Sequence, residues 1–213
     1  MDRVWFRIDL ARADRDVSTM TFDPLYAFVF AGLFSPGPNV ILLTASGARF
    51  GFRATLPHVL GVAVGVGVTS GLTALGMGAL LLAVPGLTLA LKIIAAGWIL
   101  WMAYKLLTAA QAKQRAADDK PWGFFKAVLF QWVNPKVWAI ALAASVGYAA
   151  GLPPLQEAAR LASAFSGINL GVCLFWTFAG SLLTYLLTSD RAWSVFNGAM
   201  ALMLAASAVM VFL

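Results

Sequence analysis

Long stretches of this chain contain no Asp, Glu, Lys or Arg: Pro24 to Ala48, Ala54 to Leu91, Val137 to Gln156, Leu161 to Ser189 and Ala192 to Leu213. A helix needs about 20 apolar residues to cross a hydrocarbon core of roughly 30 Å, and most of these stretches have the length of one crossing. Ala54 to Leu91 is too long for one, and Pro85-Gly86 divides it into a second span and the start of a third. Hydrophobic residues make up 61% of the chain and charged residues 11%, well below the roughly 25% charged usage of soluble domains. The pattern predicts a polytopic membrane protein. A net charge of +6 raises the question of nucleic acid, but the basic residues fall in short loops between spans, where they report topology, and no nucleic-acid partner is expected.

The spacing predicts spans at about 24–46, 56–83, 87–107, 122–149, 157–187 and 191–213. The most polar segment, 108–121, separates two three-helix halves, 24–107 and 122–213, within a single transmembrane domain covering 20–213. Halves with an odd number of spans enter the membrane from opposite sides. The expected fold is therefore an all-α membrane protein of six helices built as two inverted three-helix repeats. Lysine and arginine concentrate in the first, third and fifth loops and their helix ends (Arg49, Arg53, Lys105, Lys113, Arg115, Lys120, Lys126, Arg191), against Arg160 alone in the second and fourth. The positive-inside rule places the odd loops, with the 108–121 linker, in the cytoplasm and both termini on the periplasmic side.

Two of the predicted spans are interrupted at equivalent places. The first span contains Ser35-Pro36-Gly37-Pro38-Asn39 and the fourth contains Val133-Asn134-Pro135-Lys136. Each break falls roughly 18 Å into its span at about 1.5 Å per residue, near mid-membrane. Proline there removes a backbone donor and frees carbonyls that lipid cannot satisfy, so such breaks persist where they line protein or a polar cavity. Interrupted segments at corresponding positions of two halves point to a transporter's binding site. Pro135 suits the first position of a new half-helix, with Asn134 as its N-cap, and Ser35-Pro36 or Gly37-Pro38 can start another. Amides at such starts carry partial positive charge and suit a carboxylate, while Asn39, Asn134 and freed carbonyls suit an ammonium. The alternative is that both prolines only kink helices for packing.

Lys136 is the ionisable residue at greatest depth, where a charge costs at least about 2.5–3.5 kcal/mol on insertion scales unless it meets a cavity or a partner. Every acidic residue lies in the tail, a loop or a helix end, which leaves three roles: facing a substrate carboxylate, carrying a proton, or snorkelling beside the break. Asn169 is the costliest of the other polar residues to leave unpaired and joins the candidate set; Thr69, Ser70, Thr73, Thr177 and Asn197 are expected to bond within or between helices. Trp98, Trp101 and Tyr104 read as an aromatic belt. Gly61, Gly65 and Gly76, with Gly67, Gly71 and Gly78, give the second span close-packing faces suited to internal packing or to a homodimer. His58, near the first loop, reads as a surface or capping residue, and Cys173 as a small buried hydrophobe. One cysteine builds no disulfide, CxxC pair or metal site, and no cofactor or metal is expected.

Residues 1–19 hold four arginines and four aspartates and no apolar run, which fits a natural start at Met20; the competing reading is an amphipathic surface segment bearing Trp5, Phe6, Ile8 and Leu10.

Ser35-Pro36-Gly37-Pro38-Asn39 resembles the (S/T)PGPN motif of the LysE/RhtB-type amino-acid exporters, as does the basic loop Gly47 to Arg53 that follows it. The third-helix stretch Leu91 to Lys105 (LKIIAAGWILWMAYK) and the fourth-helix Phe130-Gln131-Trp132-Val133-Asn134-Pro135-Lys136 are similar to two further motifs of that family, in the same order. Gln131 and Val133-Asn134, with Phe196-Asn197, lean towards the cysteine and O-acetylserine exporter branch. The resemblance implies a six-helix inner-membrane secondary transporter, driven by the proton gradient, that exports small amino acids or their derivatives. The substrate-binding set is then Pro36, Gly37, Pro38, Asn39, Asn134, Pro135, Lys136 and Asn169. Some family members carry an acidic residue after the glycine aligned with Gly65; here Val66 stands there, which disfavours cationic substrates. An enzyme is not expected, since no HExxH, buried aspartate pair or GxSxG motif is present. A channel, an exporter of another small solute, or a membrane partner protein remains as the alternative.

Overall fold

A computed structural model describes residues 23–78, 83–111 and 120–212, so the polar tail 1–19 and residues 112–119 of the linker lie outside the described residues. The described residues form helices without a strand: α1 Pro24–Phe34, α2 Pro38–Phe50, α3 Phe52–Leu72, α4 Pro85–Gln111, α5 Phe124–Trp132, α6 Pro135–Gly147, α7 Pro154–Leu183 and α8 Asp190–Val209. Four helices are long and apolar enough to cross a membrane, and α1–α2 and α5–α6 bring the number to six if each bent pair is one crossing.

Proline and the caps set where these helices start. Pro24, Pro38, Pro135 and Pro154 each open a helix, where the missing N–H has no intrahelical partner to lose. Asp23 caps α1 by accepting from the Leu25 amide at 2.9 Å, and Ser189 caps α8 by accepting from the Ala192 amide at 3.1 Å. Boundaries shift from the sequence reading at the second span. α3 begins at Phe52, straight after Gly51, so the first loop is a tight turn whose Gly51 sits at φ 84°. At its other end α3 widens into a π turn, Thr73–Met77, around Gly76 at φ 97°, a conformation that strains any residue with a Cβ.

Two apolar clusters hold the bundle. One gathers Leu25, Val29, Leu43, Val62, Leu161 and Phe165 from α1, α2, α3 and α7. The other gathers Ile41, Ile99, Met102, Phe130 and Leu204 from α2, α4, α5 and α8. Large apolar side chains also point outward, Phe125 at 79% and Leu202 at 72% exposure, which is stable against lipid and costly against water. Apolar burial gives helices no preference for each other over lipid, so contact distance decides association. A Cβ added at Gly47 would stand 2.2 Å from the Thr177 carbonyl oxygen, and one at Gly180 would stand 2.2 Å from that of Thr44. α2 and α7 therefore cross backbone to backbone. At Gly61 an added Cβ would stand 2.3 Å from the Phe124 oxygen, and at Gly67 it would meet Ala162 and Ser166. Both glycine faces of α3 are thus used inside the chain, against α5 and α7. Gly76 belongs to neither, because nothing lies within 4 Å of an added Cβ there. In the expected aromatic belt, Trp101 and Tyr104 are exposed at 46% and 64%, whereas Trp98 turns inward against Phe130, ring centroids 6.2 Å apart.

Candidate functional site

The chain bends by 59° between α1 and α2 and by 63° between α5 and α6. At the first bend Gly37 occupies the N-cap position with extended backbone, and its carbonyl accepts from the Ile41 amide at 3.0 Å. Of the two starts open to the sequence, Gly37-Pro38 is the one adopted. At the second, Asn134 holds the N-cap position of α6 and its carbonyl accepts from the Val137 amide at 3.1 Å. Its side chain makes no cap bond, contrary to expectation; the Asn134 amide donates to Gln131 Oε1 at 3.3 Å instead.

Gln131, fully buried, ties the two rods together. Asn39 Nδ2 donates to Gln131 Oε1 at 2.8 Å, and Gln131 Nε2 donates back to Asn39 Oδ1 at 3.1 Å and to the Ala127 carbonyl at 3.0 Å. Gln131 lies within one of the family-like motifs but outside the predicted binding set. Its signal was there: an amide in an apolar run one helical turn before Asn134, on the same face.

Lys136 crosses the gap in the other direction. Its ammonium donates to the Ser35 carbonyl and, at 3.3 Å, to that of Pro36, two acceptors freed by the first break. This use was absent from the sequence reading, which sought a partner among carboxylates. Gly37 leaves room for it: a Cβ there would lie 2.7 Å from Lys136 Cδ and 2.9 Å from Nζ.

Between these groups lies a cavity of about 10 Å³, lined by Gly37, Asn39, Asn134, Lys136 and Asn169 together with Leu33, Val40 and Val137. Of the eight predicted residues, five line it. Pro36 reaches the site through its carbonyl, and Pro38 and Pro135 open the two half-helices whose first turns form the walls. Two buried polar atoms at the cavity have no partner, the acceptor Asn134 Oδ1 and the donor Asn169 Nδ2. Asn169 Oδ1 is occupied by the Cys173 thiol at 3.6 Å. The volume is that of about one water. Ser70 and Thr73 bond back to their own helix as expected, at 2.7 and 2.8 Å, while the buried Thr69 and Thr177 hydroxyls do not.

A second cavity, of about 220 Å³, opens where α2 and α4 end and α3 and α5 begin, with Arg49, Lys105, Lys120 and Lys126 on its walls. His58 lines it, 2% exposed and packed against Trp122 with ring centroids 5.2 Å apart. The surface or capping reading of His58 is overturned, because α3 starts at Phe52 and so carries residue 58 into its second turn, under the Trp122 ring. At the far end of the bundle Arg160 joins Asp23 at 2.6 Å and Glu157 at 2.8 Å, tying the start of α1 to α7. The guanidinium and the Leu25 amide hold the Asp23 carboxyl below its usual 3.8.

An all-helical bundle with apolar outward faces, and with two bent helix pairs meeting at a small polar cavity, defines a multi-pass membrane protein. Residues 30–213 match the family of LysE type translocators, and the chain belongs to that family. Curated relatives named "Cysteine/O-acetylserine efflux protein" are similar to it. That of Salmonella choleraesuis (strain SC-B67) is 28% identical over 171 residues, 78% of this chain and 85% of the relative. That of Klebsiella pneumoniae is 30% identical over 151 residues, 70% of this chain and 76% of the relative. No solved structure matches.

Proposed function

We propose that this chain is a secondary transporter that exports small neutral amino acids or their derivatives, cysteine and O-acetylserine first among the candidates, across the inner membrane at the expense of the proton gradient. The observation that carries this reading is the cavity at the two breaks. Two half-helix starts, the Lys136 ammonium and the donor Asn169 Nδ2 suit a carboxylate, and the acceptor Asn134 Oδ1 suits an ammonium. A zwitterion needs both signs within one site. The names of the relatives supply the substrate candidates, and Val66, an aliphatic residue wholly inside the core, offers no anion for a cationic side chain.

In this reading 24–107 and 122–213 are inverted halves, the bent pairs are single broken spans, 108–121 is the cytoplasmic linker, and both termini face the periplasm. The clustering of Arg49, Lys105 and Lys126 at one end of the bundle, and of Asp23 with Arg160 at the other, supports that alternation. With room for about one water, the cavity is an occluded form, and loading requires α1–α2 and α5–α6 to separate. Occlusion favours a carrier over a channel. The test is efflux from cells loaded with cysteine or O-acetylserine, comparing wild type with Asn134→Ala and Pro38→Ala; undiminished efflux in both variants rejects the site. Saturable counterflow in proteoliposomes identifies a carrier, and its absence beside substrate conductance identifies a channel.

A further inference from the structure

The 220 Å³ cavity shares no lining residue with the site at the breaks, and its chemistry differs. Lys105, Lys120 and Lys126 line it alongside Arg49, and no carboxylate does. Among the described residues the acidic side chains lie elsewhere: Asp23 and Glu157 pair with Arg160, and Asp190 opens α8. Asp118 and Asp119 fall outside the described residues. Two of the ammonium groups rest on ring faces, Lys105 on Trp101 at 4.7 Å and Lys126 on Trp122 at 4.4 Å. A ring face engages only part of an ammonium's three N–H donors, which leaves others for an anion. His58 adds a second observation: both ring nitrogens are buried without a partner at 98% burial, on the wall of this same cavity. Lys105 and Lys126 are themselves exposed, so both ammonium groups are reachable at the cavity's rim, with the unpartnered imidazole buried in its wall.

We propose that this cavity is a binding site for a phosphate-bearing anion, held by Lys105, Lys126 and His58. Exposed Trp101 and Tyr104 place its mouth at the level of an interfacial aromatic belt, where the headgroup of an anionic phospholipid arrives from the bilayer. Basic pockets between transmembrane helices on the positive side of a membrane suit such headgroups. A soluble phosphate is the other source of the same chemistry.

The test uses the full-length protein purified in detergent and follows its thermal midpoint against phosphatidylglycerol, phosphatidylcholine and inorganic phosphate at matched ionic strength. Phosphatidylglycerol is expected to raise the midpoint saturably and phosphatidylcholine not to; a response to phosphatidylglycerol alone assigns the lipid, and one to inorganic phosphate as well assigns a soluble anion. The double variant K105Q/K126Q is expected to need roughly tenfold more ligand for half the shift. R53Q/R191Q removes the same charge from exposed positions outside the cavity and is expected to respond like wild type. Equal responses to both lipids with none to phosphate, an unchanged response in K105Q/K126Q, or an equal loss in R53Q/R191Q overturns the site. Should K105Q/K126Q fail to fold, native mass spectrometry of the wild type decides: a retained phosphatidylglycerol supports the site, and none retained rejects it.

Discussion

At the first break the carbonyls of Ser35 and Pro36 are satisfied by Lys136, which arrives from a residue 100 or more positions along the chain. At the second, the Trp132 carbonyl accepts from the Trp138 indole, six residues on in the same bent pair, at 3.0 Å. In its freed carbonyl the second interruption is self-sufficient, while the first depends on the second. At the mid-membrane depth proposed for the breaks, a carbonyl without a donor costs about 1–3 kcal/mol, so on that reading the first rod is stable only while α6 stays docked or another donor replaces the ammonium. In the proposed cycle a substrate carboxylate competes for Lys136 and thereby releases the first break.

Removing the cross-connection tests this most severely. Lys136→Ala is expected to abolish efflux and to destabilise the purified protein by about 2–4 kcal/mol, since two carbonyls lose their donor at the depth proposed for the break; wild-type efflux with unchanged unfolding rejects the dependence. Gly37→Ala keeps a backbone conformation open to any residue and instead displaces the end of the lysine chain. Efflux should fall roughly tenfold with about 1 kcal/mol of stability lost. In a Lys136→Ala background the same change should add almost nothing, and full additivity would sink the assignment.

The amide pair comes next. A double-mutant cycle of Asn39→Ala and Gln131→Leu should show coupling of about 1 kcal/mol in unfolding, against none if the rods are held by packing alone. Trp138→Phe removes the donor of the self-sufficient break and should cost about 0.5–1 kcal/mol while leaving efflux unchanged; an efflux defect as deep as that of Lys136→Ala would erase the difference between the two breaks.

The smallest effect separates the entrances to the rods. α1 is capped by Asp23, whereas α5 begins at Gly123 with no side chain to cap it. The folded-state pKa of Asp23 is depressed, so its contribution is present above the unfolded value near 3.8 and is lost as pH falls through the lower folded value. Wild type should therefore lose stability below about pH 4 relative to Asp23→Asn, with no difference in slope above pH 5.

The two bends were legible because proline and asparagine in an apolar run have few uses. The partner of Lys136 was not, since its acceptors are main-chain atoms that every residue carries and only the fold brings near. Gln131 sat in view, yet nothing local distinguishes an amide that bridges two rods from one that bonds back to its own. Proximity of His58 to a loop in sequence does not bring exposure, because a turn as tight as that at Gly51 puts the following helix straight into the core. The glycines of α3 were recognised as contact faces, but which helix each face meets depends on topology that spacing does not encode.

The small volume between the breaks also bears on energy conservation. One water cannot form the continuous hydrogen-bonded file along which protons hop, so in this form the cavity at the breaks offers them no such file. On the proposed proton-driven reading, a cell can then host many copies without short-circuiting its own respiratory battery, with current flowing only when cargo prises the rods apart.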